Sequence, residues 1–94
     1  MPVLVILEVD GDPDALLAAT AELERRRPTS AVTARVIAPV EGGIILCTVW
    51  ESAAAREAHQ SEPGHEEALQ ASGITAAATG MRSRVFENAV LSVR

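Results

Sequence analysis

The 94-residue chain has no lysine and no tyrosine, and it has one tryptophan (Trp50), one phenylalanine (Phe86), one cysteine (Cys47) and one asparagine (Asn88). Each shortage removes a class of chemistry. Without lysine there is no Schiff base and no Walker-type phosphate loop. Without tyrosine no phenol serves as acid, base or radical relay. One cysteine excludes an internal disulfide, a cysteine-based zinc cluster and a CxxC redox pair. All eight basic residues are arginine, against 13 acids, for a net charge of −5. An acidic chain with so few aromatic rings lacks both the basic stripe and the stacking platform of a nucleic-acid binder. No apolar run approaches the ~18 residues that span a bilayer, so no membrane partner is expected. The apolar start, Met1 to Leu7, reaches Glu8 without a basic segment or a cleavage signal. A secretory leader is therefore not expected, and a free thiol fits the cytoplasm.

What is present is the composition of a folded protein, 48% hydrophobic and 22% charged, at a length suited to one domain over residues 1–94. Much of the apolar content is alanine, so the core of a lone subunit is thin. Val3 to Val9 is nearly unbroken aliphatic sequence and reads as a strand buried on both faces. Asp12 is placed to cap a helix from Pro13 to Arg26, with Leu16, Leu17, Thr20 and Leu23 on one stripe and Pro28 as the stop. Ala31 to Ala38 reads as a second strand, with Val32, Ala34, Val36 and Ala38 on one face and Thr33, Arg35 and Ile37 on the other. Ile44 to Trp50 is a third, apolar on both faces. Ser52 caps a helix from Ala53 to Gln60, Pro63-Gly64 interrupts it, and a second piece runs from His65 to Ser72 with Gly73 as its C-terminal stop. Ile74 to Met81 shows no clear period and reads as an irregular connection. Arg84 to Val93 alternates as a final strand.

This order, βαββαβ, predicts an α+β ferredoxin-like fold: a four-stranded antiparallel sheet with helices on one face. Helices cover only that face, yet the first and third strands are apolar on both. Exposed Val, Leu and Ile side chains forgo roughly 1.5–3 kcal/mol each. A patch of that kind predicts a partner or a ligand, and the simplest closure is a homodimeric barrel whose two sheets face one another.

Val49-Trp50-Glu51-Ser52, an alanine-rich helix, Ala58-His59 nine residues after the tryptophan, and the break Ser61-Glu62-Pro63-Gly64-His65 together resemble the antibiotic biosynthesis monooxygenase-like branch of the dimeric α/β-barrel superfamily. The resemblance implies a dimer of ferredoxin-like subunits, each with an apolar cavity for a small organic molecule; the chain's own residues offer no metal or flavin site, so no cofactor is expected. It implies activities that range from cofactor-independent oxidation of polycyclic phenols to polyketide cyclisation, haem degradation and isomerisation. The chain departs from the oxidising members: Leu46 stands where they tend to carry an asparagine, and there is no pocket tyrosine. The N-terminal third has no asparagine, which disfavours haem degradation.

Within that frame, His59 is the candidate general base, because histidine alone titrates near neutrality without help. Helix packing is the plainer role for it. Trp50 is a candidate stacking wall for a flat ligand, or simply a packing residue. Arg35 and Arg84 lie in strands, as ion-pair partners or as anchors for a carboxylate or phenolate in the substrate. Glu87 and Asn88 fall on opposite faces of the last strand, so one of them would sit among apolar neighbours. His65 reads as exposed, Cys47 as a small buried hydrophobe, and Arg25-Arg26-Arg27 as a solvated helix end. His59 and His65 do not have the spacing of a helical metal pair, and no metal site is expected. The functional expectation is a cofactor-independent, monooxygenase-like enzyme acting on a small aromatic or polyketide-like metabolite. The alternatives are a cyclase or isomerase with the same base, and a non-catalytic dimeric binding or stress-associated protein.

Overall fold

A computed structural model describes residues 1–93. Its elements follow the order β1 (Val3–Asp10), α1 (Pro13–Arg26), β2 (Val32–Val40), β3 (Gly43–Trp50), α2 (Ala53–Ser61), α3 (His65–Ser72), α4 (Ile74–Ala77) and β4 (Gly80–Phe86). The strands form one sheet in the order β2-β3-β1-β4, antiparallel throughout. This is the ferredoxin-like arrangement expected from the sequence, with the second helix delivered in three pieces. No helix among the described residues is long and apolar enough to cross a membrane.

Local chemistry accounts for the boundaries. The Asp12 carboxylate accepts from the Ala15 N–H at 2.9 Å, and Pro13 opens α1 without wasting a donor. Ser52 caps α2 in the same way, accepting from Ala55 at 3.0 Å. Gly64 and Gly73, at φ of 89° and 88°, adopt the left-handed conformation that separates α2, α3 and α4.

The helical face carries the core. Val9, Leu16, Ala19, Ile44 and Ile74 form its main cluster, and Val3, Val5 and Trp50 form a second one at the other end of the sheet. Leu16 is completely buried. Register follows from pairing Val3 with Trp50 and Val9 with Ile44, which places the odd residues of β1 and the even residues of β3 under the helices.

Three sequence expectations change. First, β2 does not alternate cleanly. A register shift between Val32 and Ala34 lets Val32 pack on the Trp50 cluster although it is three residues from the equally inward Arg35. Second, Ile74 is a core residue at the start of a short helix, not part of an irregular connection. Third, the final strand runs over Gly80–Phe86 instead of Arg84 to Val93. Its partner decides this: Phe86 pairs with Leu4, and β1 offers only one residue beyond that. The chain then turns away at Asn88, φ 59°, with the Ala89 N–H donating to the Pro2 carbonyl at 2.9 Å.

The opposite face of the sheet is bare. Leu4, Ile6, Ile45, Cys47 and Val49 are half-buried there by their neighbours alone, and Val36 is 65% exposed. Along its β1–β4 side, Arg82 bridges Glu8 at 3.2 Å and Asp10 at 2.8 Å, and this contact lowers the proton affinity of the Asp10 carboxylate.

Candidate functional site

Between the sheet and α1, α2, α3 and α4 lies a cavity of about 500 Å³. Its floor is the inward row of the central strands, including Val5, Leu7, Leu46 and Trp50. Leu23, Leu69 and Ile74 come down from the helices above. This is the size and apolar character of a site for a small organic molecule.

Polar groups gather at the Trp50 end. Trp50 closes β3 and is buried at 7% exposure, its strand end held by the Glu51 N–H to the Ala31 carbonyl at 2.8 Å. One helix later His59 reaches the same wall, with ring centroids 5.5 Å apart and planes inclined at 49°. Burial lowers the proton affinity of His59, and the nearby charge of Arg27 lowers it further, against a smaller opposing pull from Glu62. The imidazole is thus biased to the neutral form that accepts a proton.

Arg35 reaches the cavity from β2. One of its terminal nitrogens lies 3.2 Å from Glu24, an ion pair, while its buried Nε has no hydrogen-bond partner. A buried N–H without an acceptor costs about 1–3 kcal/mol. An oxygen atom of a bound molecule would remove that cost.

Of the residues singled out in the sequence, the structure brings together His59, Trp50 and Arg35. It does not bring Arg84, Glu87 or Asn88 to them. Arg84 pairs with Ile6 on the bare face of the sheet and lies over the Phe86 ring at 5.0 Å. Glu87 and Asn88 follow the early end of β4, are exposed, and border a shallow cleft with Met1 and Ser52.

Two cavity residues were misjudged in the sequence. Arg27 is not a solvated helix end: its side chain is 11% exposed and its fork donates to the His59 carbonyl at 3.1 Å, to the Glu62 carboxylate at 2.6 Å and to Nδ1 of His65. Arg25 and Arg26 do behave as expected, both engaging Glu22. His65 is half-buried on the cavity wall, 5.9 Å from the His59 ring centroid. Both signals were present as periodicity. Arg27 continues the stripe Leu16, Thr20, Leu23, and His65 begins the stripe Ala68, Leu69, Ser72. The three consecutive arginines are not one unit, because adjacent helical residues point in different directions: Arg25 and Arg26 face Glu22, and Arg27 faces the α2–α3 break. Among the described residues no group of three or more His, Cys, Asp or Glu side chains is arranged to hold a metal ion.

No family model matches the sequence. No curated protein matches it either. Solved structures do share its fold. The chain superimposes on Rv0793 from Mycobacterium tuberculosis with a TM-score of 0.71 at 18% identity, covering 99% of this chain and 100% of that one. A Chloroflexus aurantiacus protein named as an antibiotic biosynthesis monooxygenase gives a TM-score of 0.64 at 22% identity, over 96% and 97% of the two chains. SnoaB, a cofactor-independent oxygenase from Streptomyces nogalater, gives 0.68 at 15% identity, over 96% and 95%. At these identities the likeness establishes the fold.

Proposed function

From the fold that this chain shares with the antibiotic biosynthesis monooxygenases, we propose that it is a cofactor-independent, monooxygenase-like enzyme acting on a small aromatic or polyketide-like metabolite in the cytoplasm. The observation that carries the reading is the Trp50–His59 pair on the wall of an apolar cavity. The indole face stacks on a flat substrate, and the depressed proton affinity of His59 makes it the base. Arg35, with its unpartnered Nε, anchors a substrate oxygen. His59 takes the proton of an acidic C–H or phenolic O–H, and the resulting anion is itself the reductant of dioxygen, so the protein supplies position, desolvation and one proton acceptor.

A second reading is favoured by one feature: Leu46 and the absence of tyrosine leave the cavity floor poor in polar groups that would steer oxygen chemistry. The same base in the same cavity would then serve a cyclisation or isomerisation. An oxygen electrode separates the two readings, with 1,8-dihydroxyanthrone as the probe phenol. Oxygen uptake that depends on His59 supports the oxygenase, whereas product formation without uptake supports the isomerase. Turnover unchanged in His59→Ala removes His59 as the base, and ligand binding with no turnover by the natural sequence points to a binding protein.

The functional unit in this reading is a homodimer closed through the bare sheet face. The half-buried aliphatic row Leu4, Ile6, Ile45 and Val49, with Val36 beside it, supports that closure. Val90 and Val93, 89% and 87% exposed, add apolar surface for a second subunit to cover.

A further inference from the structure

We infer that Arg27 is a positioning residue that holds His65 as a hydrogen-bond donor toward a ligand oxygen, the acid-side partner of the base His59. The inference rests on the reading of the cavity as the site.

A guanidinium has five N–H donors and no acceptor. Its contact with Nδ1 of His65 therefore requires a bare nitrogen there, because a proton on Nδ1 would face another donor. The one proton of the neutral ring is then on Nε2. Among the described residues Arg27 is the ring's only hydrogen-bond partner, so Nε2–H is left for a bound molecule. A histidine whose tautomer is set by a partner on the other nitrogen is a directed donor.

Arg27 is itself held. It ends α1, with its backbone N–H donating to the Leu23 carbonyl at 2.9 Å. Its fork reaches the last turn of α2 at the His59 carbonyl, the α2–α3 turn at Glu62, and the first residue of α3 at His65. One side chain thus ties the backbone of one histidine to the ring of the other, and it does so at 11% exposure. The two imidazoles meet edge to face at 71° on the same cavity wall.

The arrangement fits a phenol or enol. The substrate O–H bond breaks, its proton passes to a ring nitrogen of His59, and the electron pair stays on oxygen. That oxyanion accepts a hydrogen bond from Nε2–H of His65, which keeps its own proton. A preorganised donor aimed at developing charge is worth more in a dry cavity than in water.

Long-range proton–nitrogen NMR of the nitrogen-labelled protein at pH 8 tests the tautomer without any ligand. The chain has only two histidines, and a His59→Gln sample assigns them. The expected result is a protonated Nε2 and a bare, hydrogen-bonded Nδ1 on His65. Arg27→Met should shift the Nδ1 resonance, and Arg27→Lys, which keeps a donor, should restore it in part. A proton on Nδ1 in the natural sequence overturns the inference, as does an Nδ1 resonance that folded Arg27→Met leaves in place. The donor role is read with 4-nitrophenol, whose ionised form is yellow. The ratio of ionised to neutral bound probe should fall about tenfold in His65→Phe, as expected for loss of one hydrogen bond to a charged oxygen. An unchanged ratio overturns the donor role. Absence of any nitrophenol binding at Trp50 counts against the proposed function instead, and the NMR result still decides the tautomer.

Discussion

Replacing Val36 with aspartate discriminates a free sheet face from a covered one. In the isolated subunit Val36 is 65% exposed, so the new carboxylate stays in water and costs at most about 1 kcal/mol through lost strand propensity. On a two-fold dimer interface the same change acts twice, because both copies present the same patch. Each copy would bury a carboxylate among Ala34, Ala38 and Cys47, its neighbours along and across the strand. Valine burial worth about 1 kcal/mol is lost. An unpaired polar group adds at least about 2 kcal/mol. At about 3 kcal/mol per copy the dimer loses about 6 kcal/mol, which raises its Kd by about four orders of magnitude. Sedimentation velocity over a concentration series reads this directly, with urea unfolding of the dissociated subunit as the check that it remains folded. A V36D protein with the Kd of the natural sequence would refute the reasoning, and so would a natural protein that sediments as a monomer at micromolar concentration.

Three further outcomes are expected. Leu16→Ala, at a completely buried position against Val9, Ile44 and Ile74, should cost about 3–4 kcal/mol; calorimetry should show a melting temperature lower by more than about 10 °C. His59 binds its proton more weakly folded than unfolded, so between its lowered pKa and the ordinary 6.5 the unfolded chain carries more protons. Its contribution to stability is therefore whole above pH 6.5 and lost as pH falls through the folded value, and the emission of the lone Trp50, 5.5 Å from that ring, should titrate with a midpoint below 6.5 that disappears in His59→Gln. Gly11→Ala should destabilise markedly: φ is +150°, the Gly11 N–H is committed to the Gly42 carbonyl, and an added Cβ would lie 2.4 Å from the Ala77 carbonyl oxygen. Urea unfolding that shows no loss would remove that steric argument.

The pieces that local chemistry controls were legible in the sequence. Asp12 with Pro13 and Pro28 bracket α1 at Pro13–Arg26, and Gly64 and Gly73 bracket α3 at His65–Ser72, as expected from capping alone. The aliphatic runs of β1 and β3 announced strands with two apolar faces, and from them the need for something on each side. His59, Trp50 and Arg35 were each identifiable in the sequence by their side-chain chemistry, and the structure brings all three to one cavity.

Tertiary structure decided the rest, because it depends on partners that no local window contains. The end of β4 at Phe86 is set by the end of β1, and a continuing alternation in residues 87–93 cannot report that its partner strand has run out. The irregularity in β2 returns Val32 to the inner face, which strict alternation forbids. Arg27 and His65 meet only because the C-terminus of α1 packs beside the α2–α3 break, bringing residues 38 apart in the chain into hydrogen-bond contact. The chain's lack of lysine and tyrosine thus narrowed by itself the side chains left to do chemistry to two histidines and a few arginine, glutamate and asparagine residues. Which of them share a wall is settled by long-range contacts, among them the one that places the Arg27 guanidinium against Nδ1 of His65.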